Sequence, residues 1–339
     1  MIEMSNARAV ALEHFIAAAG WGDAVRRPMG ADWSQRRYER LLRGHTSAVL
    51  MDAPGPAAAQ VAPFVRIGAL LRELSLLAPQ ILAQDLPAGL LLIEDFGDDS
   101  HAALLESGSA PDRLYEAATD VLIHLHRQFD AAAAPDLPRY DAVRFRDQVM
   151  LFADAYLPAA LNRAVSAEER IGLAAAWDEV LSPVLAGPQS LLLRDYHPGN
   201  LMRIPGEGAR AVGLLDFQDG GIGPIAYDLV SLLEDARRDV PERIQRAMLA
   251  RYRSAFADLD ADGFAHSYAV LGAIRHARII GRVAELASAG TARQLDFLPR
   301  VWGQFEAKLA QPALAPVRHW IDRLLPDDRG LGKVMERAA

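Results

Sequence analysis

The stretch that decides the fold is QSLLLRDYHPGNLMRI, residues 189–204, continued by ARAVGLLDFQD, residues 209–219. Each half contains a short apolar run with the length and composition of a buried strand. The first run leads to Asp195, and Asn200 follows five positions later, across a Pro-Gly turn. The second run ends at Asp216. The sequence therefore predicts two strands that present three oxygen-bearing side chains in the loops after them.

These three side chains have the order that phosphoryl transfer needs. One carboxylate orients and deprotonates the acceptor hydroxyl, while an amide oxygen and a second carboxylate hold Mg²⁺ against the phosphates. Mg²⁺ keeps several waters and takes only one or two carboxylates, so two protein ligands are sufficient. Each residue taken alone is more typical of a turn. The combination of all three at this spacing favours catalysis.

Composition excludes several other classes of function. The chain has 339 residues, a net charge of −8 and no cysteine. The negative charge argues against broad binding to nucleic acid or anionic membranes. Without cysteine there is no disulfide, thiolate metal site or cysteine nucleophile. No apolar run reaches the roughly 18 residues of a membrane helix. We therefore expect a cytoplasmic protein with no nucleic-acid partner and no membrane partner.

Hydrophobic periodicity divides the chain in two. Residues 1–95 show strand-like runs with one inserted helix, and residues 96–339 are mainly helical. The predicted strands of the first part are Val25–Pro28, Tyr38–Arg43, Ser47–Asp52, Gln80–Ala83 and Leu90–Ile93. The predicted helices are Asn6–Ala19, Val61–Leu77, Leu114–Phe129, Arg144–Tyr156, Glu168–Leu185, Val240–Phe256 and Ser267–Leu286.

The strings LRDYHPGN (193–200), LLDFQDGGIGP (214–224) and AYDLVSLL (226–233) resemble the catalytic core of the aminoglycoside phosphotransferase-like kinases. The resemblance covers nearly the whole chain. It implies an α+β, protein-kinase-like bilobal fold, with a small antiparallel sheet lobe at 1–95 that binds the nucleotide. A larger helical lobe at 96–339 would carry catalysis and substrate binding.

The resemblance also implies roles for particular residues, with ATP and Mg²⁺ as cofactors. The catalytic aspartate falls on Asp195, and the magnesium ligands fall on Asn200 and Asp216. The buried aspartate that steadies the catalytic loop from a following helix falls on Asp228. Arg194 replaces the glycine of the family's usual His-Gly-Asp triplet, and we expect it to support the loop structurally.

The predicted nucleotide site departs from the kinase pattern. Kinases of this fold use a lysine on the third strand to hold the α- and β-phosphates. That position here is Met51, and the first lysine of the chain is Lys308. We expect Arg36 or Arg37 to supply the charge, because both follow the turn that should cover the phosphates. A solvated basic strand explains these arginines almost equally well. Ser34 of the same turn is a further candidate nucleotide contact.

Adenine is expected along LLLIEDFGD, residues 90–98, where the backbone at the junction of the lobes reads the adenine edge. Glu94, Asp95 and Phe96 are the candidate positions for this contact, with Glu94 and Phe96 preferred. Ordinary polarity at the end of a strand explains Glu94 and Asp95 equally well.

Other strings narrow the resemblance to a subgroup. SQRRYERL (34–41), VLMDAP (49–54) and IRHARIIGRVAEL (274–286) resemble the anomeric sugar kinases of bacterial cell-wall recycling. These enzymes phosphorylate the C1 hydroxyl of N-acetylmuramate and N-acetylglucosamine, and their third strand also lacks the lysine. The resemblance therefore implies a small-molecule amino sugar as the substrate.

Charge gives a weak check on this substrate. N-acetylmuramate carries a lactyl carboxylate, which calls for a cation. Arg275, Arg278 and Arg282 share one helix face, and we take Arg275 with His276 as the candidate contact. A solvated helix face is an equally good explanation. Asp219 is a candidate ligand for sugar hydroxyls, although a turn role before the following two glycines is at least as plausible.

Two alternatives to the amino-sugar kinase remain at this point. One is an aminoglycoside, choline or homoserine kinase on the same scaffold, which should crowd acidic and aromatic groups around the acceptor. The other is a pseudokinase scaffold that binds nucleotide without transferring phosphate. The missing lysine favours the pseudokinase, whereas the intact Asp195, Asn200 and Asp216 oppose it.

Overall fold

The computed structural model describes residues 2–30, 36–291 and 294–336. Ser34, a candidate nucleotide contact, lies outside the described residues. None of the described helices is both long and apolar enough to cross a membrane.

Strands and helices follow the order expected of an α+β chain. The strands are β1 (Val25–Pro28), β2 (Arg37–Arg43), β3 (Thr46–Asp52), β4 (Ile81–Asp85), β5 (Leu90–Glu94), β6 (Gln189–Leu192), β7 (Leu201–Arg203), β8 (Val212–Leu214) and β9 (Gly221–Pro224). The helices are α1 (Ile2–Ala18), α2 (Val61–Glu73), α3 (His101–Glu106), α4 (Pro111–Gln128), α5 (Ala142–Leu151), α6 (Leu157–Leu161), α7 (Ala167–Leu185), α8 (Ala226–Leu233), α9 (Glu242–Ser254), α10 (Ala261–Ser288), α11 (Leu298–Leu309), α12 (Ala315–Leu324) and α13 (Leu331–Glu336).

The chain divides into two compact units. The first unit comprises Met1–Val121 and Pro198–Gly220, and the second comprises Leu122–His197 and Gly221–Ala339. Residues 1–95 fall within the first unit, and the expected division into lobes at residue 95 stays a prediction. The segment 198–220 joins the first unit because its strands bond to that unit's backbone. The Leu214 amide donates to the Leu77 carbonyl (2.7 Å), and the Arg203 amide donates to the Asp99 carbonyl (2.8 Å).

The first unit is built on one antiparallel sheet in the order β1-β2-β3-β5-β4. Side chains alternate between its two faces because successive residues of a strand point in opposite directions. One face packs on α1, where Leu12, Phe15 and Ile16 join Leu50 and Leu92 of the sheet in one buried cluster. The predicted strands of this sheet are present, each within two residues of its expected ends.

The opposite face of the sheet carries Tyr38, Arg40, Val49 and Met51. The register pairs Tyr38 with Met51 and Arg40 with Val49. Met51 is only 1% exposed, so the position of the expected lysine is filled by a buried apolar side chain.

Two predicted helices end earlier than expected. The helix from Val61 ends at Glu73 because Ser75 adopts a left-handed conformation, with φ of 61°. The helix of the predicted segment 144–156 is interrupted after Leu151 by a π-helical turn, Phe152–Tyr156. Gly281 of α10 lies against this point, where an added Cβ would come within 2.5 Å of the Leu151 carbonyl carbon.

The second unit contains the short pair β6–β9 and helices α5 to α13. The two apolar runs of the deciding stretch are not partners of each other. The strand before Asp195 pairs with β9, whereas the strand before Asp216 pairs with β7. Glycine in β9 is required by close packing, because a Cβ on Gly221 would lie 2.3 Å from the Pro138 carbonyl oxygen.

Candidate active-site residues

Asp216 of the first unit comes shortly after the end of β8 and has a left-handed backbone, with φ of 58°. Its Oδ1 accepts from Arg36 Nη2 at 2.5 Å and from Gln218 Nε2 at 2.9 Å. Its Oδ2 lies 3.5 Å from Asn200 Nδ2. The structure therefore brings Asn200 and Asp216 together. It also brings Arg36, an arginine expected to contact the phosphates, to the same carboxylate.

Backbone and ring contacts hold this pair in place. Asn200 closes a 3₁₀ turn, and its carbonyl accepts from the Leu215 amide at 3.0 Å. Phe217, directly after Asp216, stacks on Phe64 with 4.7 Å between ring centroids. Gly68 of α2 leaves room for this ring, because an added Cβ would already touch it at 3.4 Å. The Asp-Phe motif therefore anchors the metal-ligand candidate to a helix of the same unit.

The oxygen atoms of this pair fit a divalent cation. Mg²⁺ in phosphotransferases takes few protein ligands and completes its shell with water and phosphate. The Asn200 side chain can present either its oxygen or its nitrogen to Asp216, because the orientation of an amide is assigned from its hydrogen bonds. Among the described residues no cluster of three His, Cys, Asp or Glu side chains could hold a metal. A carboxylate and an amide are therefore the donor set that this part of the chain offers.

Arg36 and Arg37 have different environments. Arg36 is buried, pairs with Asp216 and lies 5.9 Å from the centroid of the Tyr38 ring. Arg37 begins β2 and is exposed. The geometry therefore favours Arg36 over Arg37 as the cation nearest the metal-ligand candidates.

Glu94, at the end of β5, is engaged locally. Its carboxylate accepts from the Gln80 amide at 3.0 Å. The next residue, Asp95, forms an ion pair with Arg40, whose Nη2 donates to Asp95 Oδ1 at 3.1 Å and to the Gly97 carbonyl at 3.0 Å. Arg40 therefore ties β2 to the segment where adenine is expected.

Phe96 lies in the same segment and packs on the backbone of β8. An added Cβ on Gly213 would lie 2.6 Å from the Phe96 ring. Phe96 therefore holds the segment after β5 against the strand that leads to Asp216.

Asp195 belongs to the second unit, and Asp228 fixes the backbone before it. The Asp228 carboxylate accepts from the amides of Leu193 (2.6 Å) and Arg194 (2.8 Å). The Arg194 carbonyl accepts from Ser231 Oγ at 3.3 Å. These bonds hold Arg194 in a left-handed conformation, with φ of 73°, which costs a non-glycine residue about 1–3 kcal/mol. Burial raises the pKa of Asp228 to about 7, although the two amide bonds oppose this.

Asp195 itself is partly exposed and lies beside a cation. Arg278 Nη2 is 3.6 Å from Asp195 Oδ1, and the Asp195 side chain is 28% exposed. Burial alone would raise the pKa of Asp195, but the charges of Arg278 and Arg194 outweigh it and lower that pKa. The carboxylate is therefore ionised, as a general base must be.

Arg275 and His276 are buried within α10. Arg275 Nη1 donates to the Glu234 carbonyl at 3.0 Å, and His276 Nε2 lies 2.8 Å from Glu234 Oε2. Lys308 Nζ bonds the other Glu234 oxygen at 2.5 Å. Burial holds the pKa of His276 below its usual range. In this conformation both predicted carboxylate contacts are occupied by one internal network.

Further residues near Asp195 were not singled out from the sequence as sugar contacts. Arg278 shares the predicted arginine face, yet only the structure distinguishes it from its neighbours. His197 is buried, and burial and then Arg237 lower its pKa to about 4. Asp235 is buried and bonds Arg238 Nε at 3.2 Å. The arginine face of the helix could have indicated Arg278, but no sequence pattern predicts the ion pairs around Asp235.

Asp219, the predicted ligand for sugar hydroxyls, belongs to the first unit and is partly buried in the loop after Asp216.

Comparison with known proteins places these residues in context. The chain is 36% identical to the N-acetylmuramate/N-acetylglucosamine kinase of Caulobacter vibrioides, over 95% of this chain and 98% of that protein. It is 35% identical to the enzyme of the same name from Pseudomonas aeruginosa, over 90% of each chain. Its fold is similar to the streptomycin–ATP complex of APH(2″)-IIa, with a TM-score of 0.57 and 13% identity, over 89% of this chain and 96% of that one.

The family model covers most of the chain. Residues 25–266 match the phosphotransferase enzyme family, and this span contains Arg36, Asp195, Asn200 and Asp216. The sequence of the Caulobacter vibrioides relative supports that match, and the fold of the solved structure supports it as well. The chain therefore belongs to the phosphotransferase enzyme family and has its protein-kinase-like fold.

Proposed function

We propose that this protein is an ATP- and Mg²⁺-dependent kinase that phosphorylates the C1 hydroxyl of N-acetylmuramate and N-acetylglucosamine. The observation that carries the proposal is 36% identity, over 95% of the chain, to a relative identified as an N-acetylmuramate/N-acetylglucosamine kinase. Use of ATP fits an enzyme of the cytoplasm. Recycling of cell-wall amino sugars is the process that such an activity would serve.

Asp195 is the general base of the proposed reaction. Its carboxylate is ionised and partly exposed, so it can accept the proton of a sugar hydroxyl. Asp228 and Ser231 act indirectly, because they hydrogen-bond the backbone that positions Asp195. A C1 hemiacetal hydroxyl is more acidic than an ordinary sugar alcohol, so a weakly basic carboxylate suits this acceptor.

Asn200 and Asp216 would hold the magnesium ion. When bound, the ion neutralises charge on the transferred phosphoryl group and orients the phosphates. The left-handed backbone of Asp216 and the stacked Phe217 ring aim the carboxylate toward Asn200. Glu94 and Phe96 would lie beside adenine through their backbone, and Ser34 and Arg37 stay secondary candidates for the phosphates.

Arg278 is the residue that we assign to the lactyl carboxylate. Of the three arginines on this helix face, Arg275 donates to the Glu234 carbonyl, and Arg282 pairs with Glu285 on the exposed surface. Arg278 has 17% of its side chain exposed and lies beside Asp195, and its Nε has no hydrogen-bond partner among the residues that the structure describes. A guanidinium at this place can bind a carboxylate with two parallel bonds. Asp219 remains a candidate for the sugar hydroxyls.

Release of ADP in the presence of four acceptors tests the proposal. N-acetylmuramate and N-acetylglucosamine should support ATP turnover, whereas kanamycin and choline should not. Turnover with kanamycin or choline alone would identify another small-molecule kinase of the same fold. Tight nucleotide binding without turnover on any acceptor would identify a pseudokinase.

A further inference from the structure

Arg36 lies on the same face of the sheet as Met51, the position where a kinase lysine is expected. Tyr38 is opposite Met51 in the register of β2 and β3. Arg36 lies one residue before the start of β2 at Arg37. Its guanidinium carbon lies over the Tyr38 ring, 5.9 Å from the ring centroid, and this contact places it on the face that carries Tyr38 and Met51.

One partner of Arg36 is the metal-ligand candidate Asp216. Arg36 Nη2 is 2.5 Å from Asp216 Oδ1, and only 4% of the Arg36 side chain is exposed. Gln218 Nε2 donates to the same Asp216 oxygen at 2.9 Å. Both donors bind Oδ1, whereas Asn200 lies nearest Oδ2, so a cation that uses Oδ1 would have to displace them.

We propose that Arg36 takes over the task of the missing third-strand lysine and moves between two partners. In the nucleotide-free enzyme it neutralises Asp216. When Mg²⁺ takes Asp216, Arg36 releases the carboxylate and binds phosphate oxygens of the nucleoside triphosphate. This inference rests on the proposed use of ATP and Mg²⁺, and it adds the residue that compensates for Met51.

Electrostatics favours such an exchange. A guanidinium and a divalent cation repel each other, so they cannot share one carboxylate oxygen at short range. Breaking a buried ion pair is costly, so the exchange is favoured when another anion replaces Asp216 as a partner of Arg36. A triphosphate supplies one, and the planar guanidinium fork matches phosphate geometry. The metal and the nucleotide are therefore expected to bind cooperatively, and the metal alone weakly.

Two binding measurements on Arg36→Gln test the proposal, because they should change in opposite directions. Mn²⁺ binding to the nucleotide-free enzyme, followed by electron paramagnetic resonance of the free ion, should become tighter since its competitor is removed. Affinity for Mg-ATP, measured by calorimetry, should fall by roughly 10- to 100-fold since a charge-assisted phosphate contact is lost. Arg27→Gln, an exposed arginine on β1, is the matched control and should change neither value.

Further variants separate this role from a purely structural one. Arg36→Lys should keep most of the Mg-ATP affinity, and adding Met51→Lys to Arg36→Gln should restore part of it. Weaker binding of both ligands with a lowered melting temperature would overturn the proposal, and so would unchanged Mg-ATP affinity. If either result accompanied normal sugar phosphorylation by the wild type, the proposed function would stand and only the role of Arg36 would fall. A wild-type chain that binds no nucleotide would overturn both.

Discussion

Arg278 Nη2 lies 3.6 Å from Asp195 Oδ1, so the proposed base and the proposed anion-binding residue are neighbours in one unit. The arginine has two consequences. Its charge lowers the pKa of Asp195, and its partly exposed guanidinium is available to an anionic sugar. In the proposed reaction, one residue would therefore connect the ionisation of the base with the choice of substrate.

Replacing Asp195 tests the base. Asp195→Asn keeps the shape of the side chain but cannot accept the proton, so turnover should fall by about 10²–10⁴-fold. Affinity for Mg-ATP should stay close to that of the wild type. The measurement is the turnover rate at saturating sugar, and a nearly normal rate would remove Asp195 from the role of base.

Replacing Arg278 tests substrate choice. Arg278→Ala should lower kcat/KM for N-acetylmuramate more than for neutral N-acetylglucosamine, by roughly 10- to 150-fold in the ratio, since one charge-assisted contact is lost. Arg282→Ala, whose side chain pairs with Glu285 at the surface, serves as the control. Equal losses on both sugars would assign Arg278 to the structure or to Asp195 alone.

The same pair predicts a pH effect. Arg278 lowers the pKa of Asp195, so the wild-type carboxylate is ionised down to acidic pH. Arg278→Gln removes that charge and should raise the pKa, so activity should be lost at a higher pH as the solution is acidified. The measurement is the acidic limb of kcat/KM against pH with N-acetylglucosamine, which has no carboxylate of its own. An unmoved limb would separate Arg278 from the ionisation of Asp195.

The loop support can be tested with a graded pair of variants. Asp228→Ala leaves the buried amides of Leu193 and Arg194 without a partner, and each such group costs about 1–3 kcal/mol. We expect a clear drop in the free energy of unfolding and loss of turnover. Ser231→Ala removes only the 3.3 Å bond to the Arg194 carbonyl and should have a smaller effect on both. An Asp228→Ala protein of unchanged stability and activity would contradict this role.

The two proposed metal ligands should respond differently to magnesium. Asp216→Ala should abolish activity at any practical Mg²⁺ concentration because the charged ligand is lost. Asn200→Ala should be partly rescued by excess Mg²⁺, since a water can replace the amide oxygen. Titration of activity against Mg²⁺ measures both, and full activity in EDTA would exclude the metal altogether.

Much of the fold follows from local patterns, and the site follows from them in part. Alternating apolar residues and turn chemistry were enough to predict β2 and β3 to within one residue at each end. The pairing of β6 with β9 was not predictable from periodicity, because the glycine-rich segment 221–224 has no strand pattern. Its glycines are needed for close packing against Pro138 and Leu192, and this packing is visible only once the chain has folded.

The arginine side chains also show what local sequence patterns cannot predict. Helical spacing put Arg275 and Arg278 on one face, but spacing does not indicate which side chain an internal carboxylate occupies. Glu234, 41 residues before Arg275, makes that difference. Likewise, Arg36 and Arg37 are adjacent and chemically identical, and only the fold buries one against Asp216 and exposes the other.

Phosphorus NMR of the product formed from N-acetylmuramate and ATP tests the proposed reaction most directly. The account predicts a sugar 1-phosphate, whose phosphorus signal is split by the anomeric proton. A 6-phosphate signal would contradict the anomeric assignment, and the absence of any sugar phosphate would contradict the proposed kinase activity on this substrate.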